Sequence, residues 1–585
     1  MCGIIAYKGQ RNAFDVVIEG LKNLEYRGYD SFGFAVKENS SLTIIKRTGK
    51  IGDFIYNTPL ESKICVGHTR WATHGAVTIS NAHPHTDCEE KIAVVHNGII
   101  ENYQELRNEL TKKGHVFKSE TDTEVIPHLI EEYKKTMPLI EATRKAILRL
   151  EGSYAIIIID RDSDVIIAAR KNSPLILGVG NSEFFVASDV PAFMKHTKNV
   201  VYLHENDFVV IKDDFKVYNL KTGEELKREI KTIDWSVEQA KKGNFEHYML
   251  KEIMEQNQTV ARAIEQDSEK IRKITENINS ARGIFFVACG SSYHACLSAS
   301  YIFSKVAKKH VNVILASEFA NYEDFLTNET LVIAVSQSGE TADVLDAVMA
   351  AKRKGSKILS IVNVMGSSLM RVSDDVLMMH SGPEICVLST KTYTSQLALL
   401  NLLAYACAGE YSIGKKRLNE IENLVKKTTS DENREKIKKL ADKLKDKAHI
   451  FTIGRGIQYP TALEAALKIK EVSYIHAEGF AGGELKHGTI ALIEDKTPCI
   501  VFFSKENEKE TISNATEIKA RGGYIIGIGP KNNEVFDYFI EVPEAGNENP
   551  IVQIIPAQLL SYELAVSRGC DPDKPRNLAK SVTVK

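Results

Sequence analysis

Ile284-Phe285-Phe286-Val287-Ala288-Cys289-Gly290-Ser291-Ser292 is the stretch that decides the fold of the larger part of the chain. Its apolar half has the length of a buried strand, and a glycine turn and hydroxyls follow it ahead of a helical pattern. Leu331-Val332-Ile333-Ala334-Val335 runs in the same way into Ser336-Gln337-Ser338-Gly339-Glu340-Thr341. Strand, glycine turn and helix in alternation predict a parallel, doubly wound sheet. The pattern then repeats. Ile450-Phe451-Thr452-Ile453-Gly454-Arg455-Gly456 echoes 284–290, and Lys519-Ala520-Arg521-Gly522-Gly523-Tyr524-Ile525-Ile526 echoes 352–359, at separations that agree to within one residue. Two like α/β domains in tandem explain this, whereas a solenoid needs more copies and a shorter period.

Upstream the pattern differs. Residues 1 to about 225 carry short apolar or β-branched runs at 4–7, 92–95 and 154–159, each bounded by Gly, Asp or Asn. Helical patterns fall at 13–24, 102–113 and 123–135. Strands with interspersed helices predict stacked sheets with helical cover, an α+β arrangement. From about 221 to 250 the chain turns charged and loses its strand runs, which reads as a connection leading into a helix from about Tyr248.

The 585 residues predict three or four domains at roughly 150 residues each. Apolar residues make up 43% and charged residues 26%, ordinary globular usage that excludes wholesale disorder. Lys and Arg total 75 against 77 Asp and Glu, so the basic excess of a nucleic-acid binder is missing. No apolar run reaches the ~18 residues of a membrane span; the nearest, 397–408, is broken by Asn401. The first residues lack the layout of a signal peptide, and nine scattered cysteines argue for a reducing compartment, so a cytoplasmic protein is expected.

Cys2 follows the initiator methionine. Once Met1 is removed, one residue carries a thiol titrating near ~8.5 and an α-amine near ~7.7–8.0, a nucleophile with its own base. Alone, a second-position cysteine is equally an accident of composition. Its company consists of Arg70-Trp71-Ala72-Thr73-His74-Gly75, His96-Asn97-Gly98-Ile99-Ile100-Glu101-Asn102 and Ser119-Glu120-Thr121-Asp122-Thr123-Glu124. An Asn side chain beside a Gly N–H suits an oxyanion, Arg forks a carboxylate, and Asp faces an ammonium. Turn stabilisation by Thr73 and His74 and N-capping by Asp122 are the alternatives, and the functional reading outweighs them. His83, His85 and Cys88 fit no zinc spacing and read as ordinary loop residues, so no metal site is expected.

In the second half, Ser336 to Thr341 lies between a buried strand and a helix, where backbone N–H groups and hydroxyls favour a phosphate over mere capping by Ser338. A Walker lysine is missing, which disfavours a nucleoside triphosphate. Glu464, Lys468 and Glu471 share one helical face. Such a stripe is commonly solvated, but a Gly-rich loop and then Glu484-Leu485-Lys486-His487-Gly488 follow it. A carboxylate and a histidine near one pocket make a proton-transfer pair. The apolar residues Leu578 and Val582-Thr583-Val584 would dock the tail and hold Lys580.

Met-Cys-Gly-Ile and the three motifs around residues 70, 97 and 122 resemble the N-terminal-nucleophile glutamine amidotransferases. Cys-Gly-Ser-Ser-Tyr-His-Ala, Ser-Gln-Ser-Gly-Glu-Thr-Ala-Asp, Ser389-Thr390-Lys391, Glu-Leu-Lys-His-Gly and Pro-Arg-Asn-Leu-Ala-Lys-Ser-Val-Thr-Val extend the likeness over the whole chain. Together they resemble the glutamine–fructose-6-phosphate aminotransferases, which join a glutaminase to two sugar-isomerase domains. The resemblance implies a glutaminase at 2–225, a linker and helix at 226–270, isomerase domains at 271–415 and 440–570, and a tail at 571–585 that completes the sugar site. It makes Cys2 the nucleophile, Asn97 and Gly98 the oxyanion hole, and Arg70, Thr73, His74 and Asp122 the glutamine site. Ammonia protonated by bulk water would lose its nucleophilicity, so an internal passage is required, and by the likeness Trp71 gates it.

By the same likeness Ser292, Ser336, Gln337, Ser338, Thr341, Val387 and Lys468 hold the sugar phosphate. Glu471 moves a proton between C1 and C2, His487 assists ring opening and Lys580 engages the carbonyl carbon. No cofactor or metal is implied; the substrates are L-glutamine and D-fructose 6-phosphate, and a homodimer is expected, with His487 reaching the neighbouring subunit. Ser291, Cys386 and Leu388 depart from the family's usual residues and bear on the sugar pocket rather than the reaction. The diphosphate loop of phosphoribosyl transfer and the Ser-Gly-Gly-x-Asp loop of asparagine formation are both missing. A sugar-phosphate-binding regulatory protein with a fused glutaminase is the rival; it needs the serine loop but not Glu471, His487 or Lys580.

Overall fold

The computed structural model describes residues 2–52, 54–56, 60–72, 74–233 and 242–583. The chain forms two compact units, Met1–Gln239 with Ala579–Lys585, and Ala240–Leu578.

The first unit is built on two antiparallel sheets, of eight and seven strands. Gly3–Lys8 lies inside the larger sheet between Phe184–Ala187 and Ile64–Arg70. Ile92–Ile100 and Gly152–Asp160 pair within the smaller one. Alternate residues point to opposite faces, so Ile4 and Ala6 join Val66, Val95, Ile157 and Ile166 in a core between the sheets. The outer face of the smaller sheet, with Val94, Ile156 and Ile158, is covered by helices Tyr103–Lys112, Val125–Lys134 and Leu139–Leu148. Helix Ala13–Asn23 covers the larger sheet, with Val17 and Leu21 against Gly67. The expected stacked sheets with helical cover are present.

One expectation fails at the connection. Glu225–Leu226 pairs with Phe215–Asn219, and Lys231–Thr232 pairs with Asn199–Tyr202. The charged stretch extends both sheets, because edge pairing uses backbone groups and asks nothing of the side chains. Helix Tyr248–Met254 begins where it is expected.

The second unit carries two five-stranded parallel sheets of the same strand order. In the first, Gly283–Ala288 lies between Asn312–Leu315 and Thr330–Ser336. In the second, His449–Gly454 lies between His476–Ala481 and Pro498–Phe502. The internal echo is thus a repeated topology, with a switch point beside each opening strand. Helix Lys391–Cys407, which contains most of the longest apolar run, is buried from Lys391 to Tyr405. Among the described residues no helix is long and apolar enough to cross a membrane.

Candidate active site

Antiparallel pairing sets Gly3 opposite Thr69, so Cys2 emerges beside the end of strand Ile64–Arg70. The Trp71 N–H donates to Cys2 Sγ at 3.2 Å. From the facing sheet Asn97 Nδ2 donates to the Cys2 carbonyl at 2.8 Å, and Arg27 Nε donates to the same oxygen at 3.3 Å. Cys2, Arg70, Trp71, His74, Asn97, Gly98 and Asp122 line one pocket, which Thr583 of the tail also lines. Thr73 lies outside the described residues.

Gly98 has φ +132°, and a Cβ there would stand 1.9 Å from the Ser153 carbonyl oxygen, so this position requires glycine. Asn97 Oδ1 is buried and, among the described residues, has no hydrogen-bond partner. Asp122 is no N-cap: its Oδ2 accepts from the Ile100 N–H at 2.7 Å, and the following helix starts only at Val125. Arg70 donates to the carbonyls of Gly75 at 3.1 Å and Ala76 at 3.2 Å, and also to that of His74. Its guanidinium thereby folds the loop after the strand around the pocket.

Burial pushes the Cys2 thiol up from its ordinary value, against the opposing pull of the Trp71 N–H, Arg70 and Arg27. A base is therefore needed to form the thiolate. Burial also holds His83 and His96 below the usual imidazole range and takes His68 to about 3, so this wall is neutral.

The expectation of ordinary loop residues at 83–88 is corrected. His83 is buried and stacks on His68 at 4.0 Å, and buried His85 pairs its Nε2 with Thr121 Oγ1 at 3.0 Å. Cys88 stands apart from both, 3.5 Å from His128 Nδ1 and 3.7 Å from His115 Nδ1.

In the second unit, helix Gly290–Ile302 starts directly after strand Gly283–Ala288, which puts Ser291 and Ser292 in its first turn. The loop of Ser336, Gln337, Ser338 and Thr341 leaves the neighbouring strand Thr330–Ser336. Both stand at the carboxyl ends of adjacent strands where the order reverses, the place where open α/β sheets bind ligands. Ser336 Oγ lies 3.0 Å from Thr341 Oγ1 and accepts from the Gly339 N–H at 3.1 Å. Ser338 Oγ accepts from the Glu340 N–H at 3.2 Å, inside the loop, and no side chain caps helix Ala342–Arg353. Val387 is buried, its N–H donating to the Asp573 carbonyl at 3.2 Å.

Helix Tyr459–Ser473 packs against helices Gly290–Ile302 and Asn549–Ser567, and this buries Glu464 and Lys468 of the charged stripe and leaves Glu471 half-buried. Lys468 Nζ lies 2.8 Å from Glu471, 3.4 Å from Glu464 and 3.0 Å from Ser291 Oγ, while His294 Nδ1 lies 2.8 Å from Glu464. Burial opposes the charge on Glu464, but Lys468 and His294 outweigh it and hold the carboxyl below its ordinary range. Burial likewise opposes the charge on Lys468, and Glu464 and Glu471 outweigh it and keep the ammonium protonated above its ordinary range. The stripe is a buried network rather than a solvated face. His487 ends the short 3₁₀ helix Gly482–His487 and is exposed; among the described residues neither a hydrogen bond nor an ion pair joins it to Glu471. Lys580 falls with the first compact unit.

Sequence reasoning missed Arg27 and His294. Arg27 is buried and is held by Asp189 at 3.0 Å, in a short turn whose only signal is Glu25-Tyr26-Arg27-Gly28. His294 lies within the quoted Cys-Gly-Ser-Ser-Tyr-His-Ala motif, with no pattern tying it to a carboxylate far along the chain.

The glutamine amidotransferase domain family matches residues 68–195, and the SIS domain family matches 277–406 and 443–568. A curated relative from Pyrococcus horikoshii, named glutamine–fructose-6-phosphate aminotransferase [isomerizing], is 48% identical, with 100% of both chains covered. One of the same name from Thermococcus kodakarensis is 47% identical, again with 100% of both chains covered. A solved structure, the C-terminal domain of glucosamine-fructose-6-phosphate aminotransferase from Francisella tularensis, has TM-score 0.53 and 35% identity, covering 57% of this chain and 99% of that one. Full-length identity, the matched domains and the cysteine pocket agree: this chain belongs to the glutamine–fructose-6-phosphate aminotransferase family.

Proposed function

We propose that the chain releases ammonia from L-glutamine at Cys2 and adds it to D-fructose 6-phosphate, isomerising the adduct to D-glucosamine 6-phosphate with L-glutamate as co-product. The observation that carries this reading is the convergence of Cys2, Arg70, Asn97, Gly98 and Asp122 on one pocket. End-to-end identity to relatives named for the whole reaction favours an enzyme over a sugar-phosphate-binding regulator.

The Cys2 thiolate attacks the side-chain amide, with the α-amine freed by loss of Met1 as its base. Asn97 Nδ2 and the Gly98 N–H take the developing oxyanion, for which Asn97 exchanges its bond to the Cys2 carbonyl. Arg70 forks the α-carboxylate, Asp122 takes the α-ammonium, and Thr73 and His74 complete the glutamine site. Ammonia leaves, water releases glutamate from the thioester, and Trp71 gates the ammonia's route.

Ser292, Ser336, Gln337, Ser338 and Thr341 take the sugar phosphate, with Val387 and Lys468 alongside. Lys580 engages the carbonyl carbon, ammonia adds there at C2 and the carbonyl oxygen leaves as water, and Glu471 shifts the proton from C1 to C2, turning the resulting imine into an aldose amine. His487 assists ring opening. Its exposure on the single chain suits a homodimer in which it serves the neighbouring subunit. The domains follow the bounds 2–225, 226–270, 271–415, 440–570 and 571–585 given above, except that the edge strand Lys231–Thr232 goes with the glutaminase, and the cytoplasm is the compartment.

Incubation with glutamine and fructose 6-phosphate, resolved by mass spectrometry, tests this reading. Glucosamine 6-phosphate and glutamate in equal amounts are expected. Glutamate without any amino sugar, from folded protein supplied with both substrates, would overturn it.

A further inference from the structure

Three segments of the first unit bring metal-ligating side chains to one point. Cys88 lies in the turn after strand His85–Thr86, and His115 follows helix Tyr103–Lys112. His128 and Glu131, three residues apart on helix Val125–Lys134, share a face. One donor atom from each of the four lies within 4.8 Å of the others. Cys88 Sγ is 3.5 Å from His128 Nδ1 and 3.7 Å from His115 Nδ1. Glu131 Oε2 is 3.0 Å from His115 Nδ1 and 3.4 Å from His128 Nδ1.

These four separations fit four of the six edges of a metal tetrahedron, and the other two lie within 4.8 Å. With zinc bonds of about 2.3 Å to sulfur and about 2.0–2.1 Å to nitrogen and oxygen, S···N edges come to about 3.6 Å and N···O edges to about 3.3 Å. The outward nitrogen of His115 agrees with that assignment, lying 3.2 Å from Glu132 Oε2, whereas His128 Nε2 stands 3.8 Å from Glu124 Oε1, beyond hydrogen-bond distance. An imidazole that binds metal through one nitrogen and turns the other to a carboxylate is the usual arrangement around zinc. A thiolate with two imidazoles disfavours calcium and magnesium, and four protein ligands leave no open position for catalysis.

We propose that Cys88, His115, His128 and Glu131 bind one zinc ion in a closed structural site. The ion joins the two ends of the segment that carries Asp122, since His115 precedes it and His128 follows it. The role is positioning, outside the reaction itself.

The test is elemental analysis of the untagged full-length chain. About one zinc per chain is expected, with the content lost in Cys88→Ser and His128→Ala. Chelation lowers the melting temperature of the parent by about 5–10 °C and leaves that of a folded variant unchanged. Should the variants fail to fold, cobalt added to the metal-free parent decides: a thiolate-to-cobalt charge-transfer band with the strong visible bands of tetrahedral cobalt supports the site. A parent without stoichiometric zinc and without that spectrum overturns it, leaving the four residues as a hydrogen-bonded network. Folded variants that retain the parent's zinc content overturn it as well.

Discussion

Replacing Lys468 by methionine keeps the length of the side chain and removes the ammonium that Glu464 and Glu471 both face. Lys468 is 1% exposed and Glu464 0%, so solvent neither screens the pair nor replaces the lost partner. Glu464 then keeps its contact with His294 Nδ1 at 2.8 Å. Breaking a buried pair by removing one member costs about 3–5 kcal/mol, because the other charge stays desolvated. In the parent, Glu464 is held below its unfolded-state value, so its contribution is present above that value and fades only as pH falls through the folded one. Lys468 is held above its unfolded-state value, so its contribution is present below that value and fades only as pH rises through the folded one. Both are present at neutral pH. The variant's deficit is therefore full at pH 7 to 8 and shrinks toward about pH 4.3, where protonating Glu464 ceases to cost. Calorimetry of the full chain should show the transition of the second unit lowered by roughly 5–15 °C at pH 8, and by much less near pH 5. The double change Lys468→Met with Glu464→Gln should recover at least half the loss. A deficit under about 1 kcal/mol at neutral pH, or one that is the same at both pH values, would refute the reasoning.

Cys2→Ala should abolish glutamine-dependent synthesis while product still forms from added ammonium, as read by amino-sugar mass spectrometry; loss of both would undo the division into two sites. Glu471→Gln should stop exchange of solvent deuterium into the sugar and leave glutamine hydrolysis within about twofold, whereas full exchange removes Glu471 from proton transfer. Gly98→Ala drives a Cβ toward the Ser153 carbonyl and should lower the rate of glutamine hydrolysis by about 10²–10³ with the chain still folded. A kinetically normal Gly98→Ala would release that N–H from the oxyanion hole.

The two parallel sheets are legible because strands buried on both faces read as continuous apolar runs, of which Ile284–Ala288 and Leu331–Val335 are cases. The stacked sheets are legible at their centres and not at their edges: Glu225–Leu226 and Lys231–Thr232 pair through the backbone while Glu225 and Lys231 stay exposed. The glutaminase pocket is readable because the motif at 70–75 ends a strand paired beside Cys2, the motif at 96–102 ends a strand of the facing sheet, and the motif at 119–124 leads into helix Val125–Lys134. Burial of Glu464 and Lys468 is not readable, since the same spacing serves a solvated stripe; packing against helix Asn549–Ser567 decides it. The Cys88 cluster escapes for a related reason. Its ligands come from three segments with no close pair of cysteines or histidines, so only the fold joins them.

The central claim is that nitrogen released at Cys2 reaches the sugar without mixing with the solvent pool. Amide-¹⁵N glutamine supplied with excess unlabelled ammonium, followed by mass spectrometry of the amino sugar, measures this directly. Retention of ¹⁵N in nearly all of the product is predicted. Product labelled in proportion to the ammonium pool would contradict the account.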